Sequence, residues 1–241
     1  MRCTYGRTIR TRSPGPLPRR PAAPLCAGRG RRSCSSSWTY PRSSALRGTH
    51  RCSIAFRVAP GHTVSRGMVL AEVTGGRLSE RVLRDSMVTG VERTFDQDPQ
   101  LPFRLLVDMA LRALSSAVND PATAVDCLDR LEDLLLRLAG RDLDIGHFAD
   151  EEGELRVTVP VPDWEQYVRT AVDDLVFAAA GSPMALRRMR TLLIRLVEQG
   201  PGRRPEVLRD RLRWVERTGS EAYPLIWAGP DGASEACGHG V

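Results

Sequence analysis

The sequence predicts an α+β protein, a small N-terminal β-unit followed by a four- to five-helix bundle. Three observations predict it. Apolar residues alternate in short runs between Ile54 and Val73, the period of a half-buried strand. They recur at helical spacing from Leu101 onward, and a stretch with neither pattern precedes both. The changes of character fall into a tail at 1–52, a β-unit at 53–95, a helical domain at 96–223 and a second tail at 224–241.

The first tail holds twelve Arg and no Asp or Glu, and it is rich in Pro, Ser and Gly. It cannot bury enough apolar surface to offset chain entropy, so disorder is expected. The whole chain carries a net charge of +6. Removing the tail leaves 35 − 12 = 23 basic residues against 29 acids, a net of −6. The foldable part is therefore acidic, and nucleic acid is not an expected partner.

All 35 basic residues are Arg. That excludes Schiff-base lysines, P-loop lysines and lysines carrying biotin or lipoate. Cys3, Cys26, Cys34 and Cys52 lie in the tail, Cys237 near the C-terminus, and no C-x-x-C pair occurs. With His50, His62, His147 and His239 scattered, neither a zinc site nor a disulfide framework is expected, and no cofactor is called for. Cys127 reads as a small buried apolar residue. No window of about 18 apolar residues occurs, so no membrane-crossing helix is expected in this chain.

Ile54, Phe56 and Val58 read as one strand and Val69 to Val73 as another, with turns at Pro60-Gly61, Gly67 and Gly75-Gly76. The spacing P-G-x-x-V-x-x-G-x-x-L resembles the hammerhead turn of biotinyl- and lipoyl-type small barrels, whose modified lysine is missing here. A compact packing platform is the expected role. From Leu78 to Phe95 the first half suits a short helix and Met87–Phe95 a strand, and the pattern leaves this open.

The first long helix carries Leu105, Leu106, Met109, Ala113 and Leu114. The next opens at Asn119-Asp120-Pro121, with Asp120 as N-cap, Pro121 needing no donor, and Gly140 as stop. Its stripe is Ala124, Leu128, Leu131, Leu135 and Leu138. A polar connection spans 141–153, and Leu155, Val157 and Val159 alternate as a short strand. A third helix opens at Pro162-Asp163-Trp164 and is broken at Gly181-Ser182-Pro183. A fourth runs to about Gln199 and a fifth from Pro205 to Arg217, with a loose tail after Gly219.

Chemistry, if any, concentrates in two clusters, Arg93 to Pro99 and Arg112 to Ala124. Arg93 and Arg112 are suited to grip a carboxylate or phosphate, and the helix start adds N–H donors. Asp96, Asp98 and Asp120 form an alternative set for a hard cation, without EF-hand spacing. The same residues also read as architecture: Asp98-Pro99 and Asp120-Pro121 as cap-plus-proline starts, Arg112 on its helix's last carbonyls, Asn119 on its own turn. Ser115 has no evident base, so a hydrolase is poorly supported and no catalytic residue is assigned. Arg187, Arg188 and Arg190 read as a solvated basic face.

Arg93-Thr94, Gln97-Asp98-Pro99, then Ala110, Arg112-Ala113-Leu114-Ser115, then Asn119-Asp120-Pro121 and Thr123-Ala124 resemble the signature of an uncharacterised bacterial family, domain of unknown function 2254, predicted membrane proteins. The resemblance extends from Ile54 to Tyr223. It departs at Ser116, where the family has Pro. It implies the cytoplasmic, soluble part of an integral membrane protein, and a membrane connection through family context only. Because such proteins have transmembrane helices before the β-unit, it also implies that residues 1–52 are a displaced N-terminus. The binding positions it implies are Arg93, Gln97, Asp98, Arg112, Ser115, Asn119, Asp120 and Thr123. The expected partner is a small anion or a protein, with self-association as a further expectation. The alternatives are a structural or oligomerisation module without ligand and, further off, a carboxylate- or metal-dependent hydrolase.

Overall fold

A computed structural model describes residues 23–26, 34–35, 52–65, 67–85, 87, 95, 98–200 and 205–227. The chain divides into two units, Met1–Leu101 with Leu143–Pro162, and Pro102–Asp142 with Asp163–Val241.

The first unit is built on strands β1 (Ala23–Cys26), β2 (Cys34–Ser35), β3 (Ser53–Phe56), β4 (Thr63–Val64), β5 (Val69–Thr74), β6 (His147–Ala149) and β7 (Leu155–Thr158), with helix α1 (Glu80–Asp85). A five-stranded sheet runs β1-β5-β3-β7-β6, and β2 pairs with β4. All pairings are antiparallel except β3 with β7. The alternation read in the sequence explains the core. Ile54 and Phe56 point to one face of β3 and pack with Ala71, Leu78, Leu83, Val157 and Val159. On the other face Arg57 grips Glu72 through two hydrogen bonds, Nε to Oε1 at 3.0 Å and Nη2 to Oε2 at 2.7 Å.

Three features of this unit differ from the sequence expectation or extend it. The polar connection 141–153 contains β6, an edge strand whose exposed residues left no apolar alternation to read. β7 is recruited to the sheet beside β3, so the sheet takes strands from far down the chain. Strands β1 and β2 lie in the segment expected to lack structure, and apart from Cys52 the rest of that segment lies outside the described residues. Of the two patterns left open between Leu78 and Phe95, the helix is α1, while Met87–Phe95 lies almost wholly outside the described residues.

The second unit is helical: α2 (Leu101–Ala113), which begins one residue before it, α3 (Pro121–Ala139), α4 (Trp164–Ala179), α5 (Pro183–Gln199), α6 (Pro205–Ala222) and α7 (Pro224–Trp227). Three starts are capped, that of α3 by Asp120 as expected. Asp120 and Ser182 each precede a proline and accept an N–H from the third residue onward. Asp163 and Gln166 bond each other's backbone N–H at 2.8 and 2.9 Å, a capping box. α5 is the central element, with Ala185, Leu186, Met189, Leu192, Leu193 and Leu196 all fully buried. Cys127 is buried as expected, and burial pushes its thiol up.

The C-terminal end corrects the sequence expectation. Gly219 does not stop α6, which continues to Ala222, and α7 occupies the start of the expected tail. A Cβ on Gly219 would stand 2.0 Å from Trp227 Cε2, so the missing side chain is the seat of the indole. Trp227 Nε1 donates to Glu216 at 2.9 Å, and the Tyr223 hydroxyl donates to the Ala180 carbonyl at 2.9 Å.

Candidate functional site

The corner between α2 and α3 gathers five of the expected site residues. α2 would end with open carbonyls, and the chain closes them on itself. Leu114 N–H donates to Ala110, Ser115 N–H to Arg112 and Asp120 N–H to Ala113, at 2.9, 3.2 and 2.8 Å. Ser115 Oγ donates to the Arg112 carbonyl at 2.7 Å, so its hydroxyl is committed to the turn. The guanidinium expected on those carbonyls is elsewhere: Arg112 is exposed and belongs to no ion pair among the described residues. Asn119 turns the chain through a left-handed backbone, φ 49°, a conformation Asn tolerates better than most residues. Its N–H donates to the Ser115 carbonyl at 2.8 Å.

Asp120 then starts α3. Its Oδ1 accepts Thr123 N–H at 3.2 Å and its Oδ2 accepts Thr123 Oγ1 at 2.6 Å. The hydroxyl bond, with the backbone bonds behind it, holds the Asp120 carboxyl below the usual carboxylate range. An ionised acid at a helix N-terminus also meets the favourable end of the dipole. Ser116, standing where the resemblance expects Pro, is exposed in the turn.

Asp98 is built into the sheet unit instead. It is 1% exposed, and its Oδ1 accepts Gln100 N–H at 3.0 Å. The expected cap is displaced by a turn: α2 begins at Leu101, whose N–H donates to the Asp98 carbonyl at 3.0 Å. The carboxyl is pressed against the Pro60-Gly61 turn, where Gly61 has φ 78° and a Cβ would lie 2.3 Å from Asp98 Cγ. A side chain at position 61 is therefore excluded twice, by backbone conformation and by space.

Arg93, Asp96 and Gln97 lie outside the described residues. Asp98 and Asp120 belong to different units, and among the described residues no group of three metal-ligating side chains could hold an ion.

One polar cluster escaped the sequence reading. Glu132 is 3% exposed on α3 and accepts Arg188 Nη2 at 2.6 Å, with Arg195 paired to its other oxygen. Arg188 also pairs with Asp129. The expected solvated basic face is thus mostly spent: Arg188 turns inward and Arg190 bonds Glu216 at 2.6 Å, leaving Arg187 exposed. The signal was present, because Glu132 falls four residues after Leu128, on the apolar stripe of α3. This cluster ties α3 to α5 and is framework rather than a site.

A family model described as "Predicted membrane protein (DUF2254)" matches residues 43–195. The chain is 33% identical over 135 residues to the Uncharacterized protein Rv1290c of Mycobacterium tuberculosis, and equally to the Uncharacterized protein Mb1321c of Mycobacterium bovis. Each match covers 55% of this chain and 26% of the relative, so the chain matches about a quarter of those proteins' length. No solved structure matches. No helix among the described residues is long and apolar enough to cross a membrane.

Proposed function

Because the chain belongs to the DUF2254 family of predicted membrane proteins, we propose that it is an extramembrane binding domain of such a protein, which takes an acidic group at the α2–α3 corner. The acidic group is a small anion, or a carboxylate or phosphate on a protein. A position outside the bilayer is supported by the ion pairs on the helices' exposed faces, such as Arg137 with Asp133 at 2.9 Å.

The observation that carries the reading is Arg112. Around it Ser115 is used on a carbonyl and Asp120 with Thr123 on a cap. Arg112 is exposed and joins no ion pair among the described residues, and a planar cation with several donors is suited to carboxylate and phosphate. Leu105, Met109 and Val118 are exposed on the same helix and the turn after it, giving the corner an apolar border.

The test is thermal unfolding of the full chain against phosphate, sulfate, citrate, nucleotides and an acidic peptide, with Arg112→Ala beside it. A saturable rise in Tm that the variant loses supports the reading. No rise with any of them, or an equal rise in both proteins, overturns it. The competing structural reading is favoured by the closed cap, and predicts loss of stability from Asp120→Ala with no ligand effect in either background.

A further inference from the structure

A second exposed surface lies at the end of the helical unit where the α4–α5 turn meets α7. The hydrogen bond from Tyr223 to the Ala180 carbonyl brings these segments together. Around it Phe177, Met184, Leu225 and Ile226 are 65%, 48%, 96% and 45% exposed. Phe177 is held rather than loose, edge-on against Trp214 with ring centroids 5.1 Å apart. Large apolar side chains gathered in solvent mark a contact surface.

Charge decides what covers it. Asp174 lies one turn before Phe177 and Arg187 one turn after Met184, while Arg217 and Glu221 are exposed on α6. None of the four joins an ion pair among the described residues, whereas their neighbours do, Arg211 with Asp173 and Arg190 with Glu216. An anionic lipid surface or an acidic protein would meet Asp174 and Glu221 with like charge. A basic partner would meet Arg187 and Arg217. A patch with both signs around an apolar centre is suited to another copy of itself across a two-fold axis, where every Arg–acid contact formed occurs twice.

We propose that this end of the helical unit is the contact surface of a homodimer, sealed by Leu225 and Phe177 and aligned by the unpaired Arg and acidic residues around them. It is independent of the Arg112 corner. Sedimentation equilibrium of the full chain over a concentration series tests it. The expected species is a dimer, and Leu225→Glu, which removes no internal packing, weakens it roughly tenfold or more, the worth of burying one leucine. Two charge variants make the test specific: Arg187→Glu with Arg217→Glu, and Asp174→Arg with Glu221→Arg. Each alone is expected to be monomeric, and their mixture to associate. A monomeric parent chain, a dimer indifferent to Leu225→Glu, or a mixture that stays monomeric would overturn the proposal. So would binding to anionic vesicles in 0.5 M salt that Leu225→Glu abolishes, which would assign the surface to lipid.

Discussion

Replacing Gly219 by Ala sets two effects of opposite sign against each other. In an ordinary helix interior the change stabilises by about 1 kcal/mol, because Gly leaves more freedom to the unfolded chain. Here the new Cβ would lie 2.0–2.3 Å from three atoms of the Trp227 ring, inside any tolerable contact. The ring's rigid body must move, and Trp227 is only 8% exposed. Burying an indole removes roughly 200 Å² from water, about 5 kcal/mol at 25 cal/mol per Å² as a ceiling. Compactness of the unfolded chain and partial re-seating of the ring reduce that to about 3 kcal/mol. The net expectation is a loss of about 2 kcal/mol, or about 6 °C in Tm. Thermal unfolding by circular dichroism of Gly219→Ala, Trp227→Ala and the double variant measures it. With the indole gone, Gly219→Ala should stabilise by about 1 kcal/mol. If Gly219→Ala raises Tm in the parent chain, Trp227 does not sit over Gly219 and the reasoning fails.

Glu132→Ala leaves Arg188 largely enclosed without its main partner, and a loss of about 3 kcal/mol is expected in urea unfolding, with m unchanged. A change within the noise would mean the pair is open to water. Gly61→Ala should cost about 2 kcal/mol, since it adds a strained left-handed residue to a clash with Asp98. Asp120→Ala should lower Tm by about 3 °C, and Asp120→Asn, which also caps, by much less. Because Thr123 bonding depresses the Asp120 carboxyl in the folded state, its contribution is present above the unfolded value and fades as pH falls through the folded one. Arg57 depresses Glu72 and Arg156 depresses Asp150 in the same sense. Stability measured against pH should therefore fall below about pH 4, and less steeply in Asp120→Ala.

Helix α3 was legible because it announces itself twice, by an apolar stripe and by a cap. The stripe read for α2 instead includes Leu105 and Met109, which are exposed, while Phe103, Val107 and Ala110 are buried. Asp163 with Gln166, Ser182 with Pro183 and Asp120 with Pro121 are local signals whose partners lie within three residues. The misses in the sheet and at the end of the bundle are long-range. β6 has no pattern of its own and exists because β7 lies beside it. Gly219 reads as a terminator until an indole eight residues later covers it. Arg188 reads as solvated until Glu132, from another helix, is brought to it. The corner shows the same division: the cap could be read in D-P-x-T, but the commitment of Ser115 to a carbonyl could not. Closing that turn commits Ser115 and leaves Arg112 exposed.

Binding of an acidic group at Arg112 is reported directly by the arginine Nε–H signals in two-dimensional NMR. Phosphate, citrate and an acidic peptide are titrated into the full chain, with Arg112→Lys identifying the signal. The expected result is a saturable shift of the Arg112 resonance with one of them, alongside Asn119 and Asp120 amide shifts. An Arg112 signal that stays fixed while only arginines of residues 1–52 respond would contradict it.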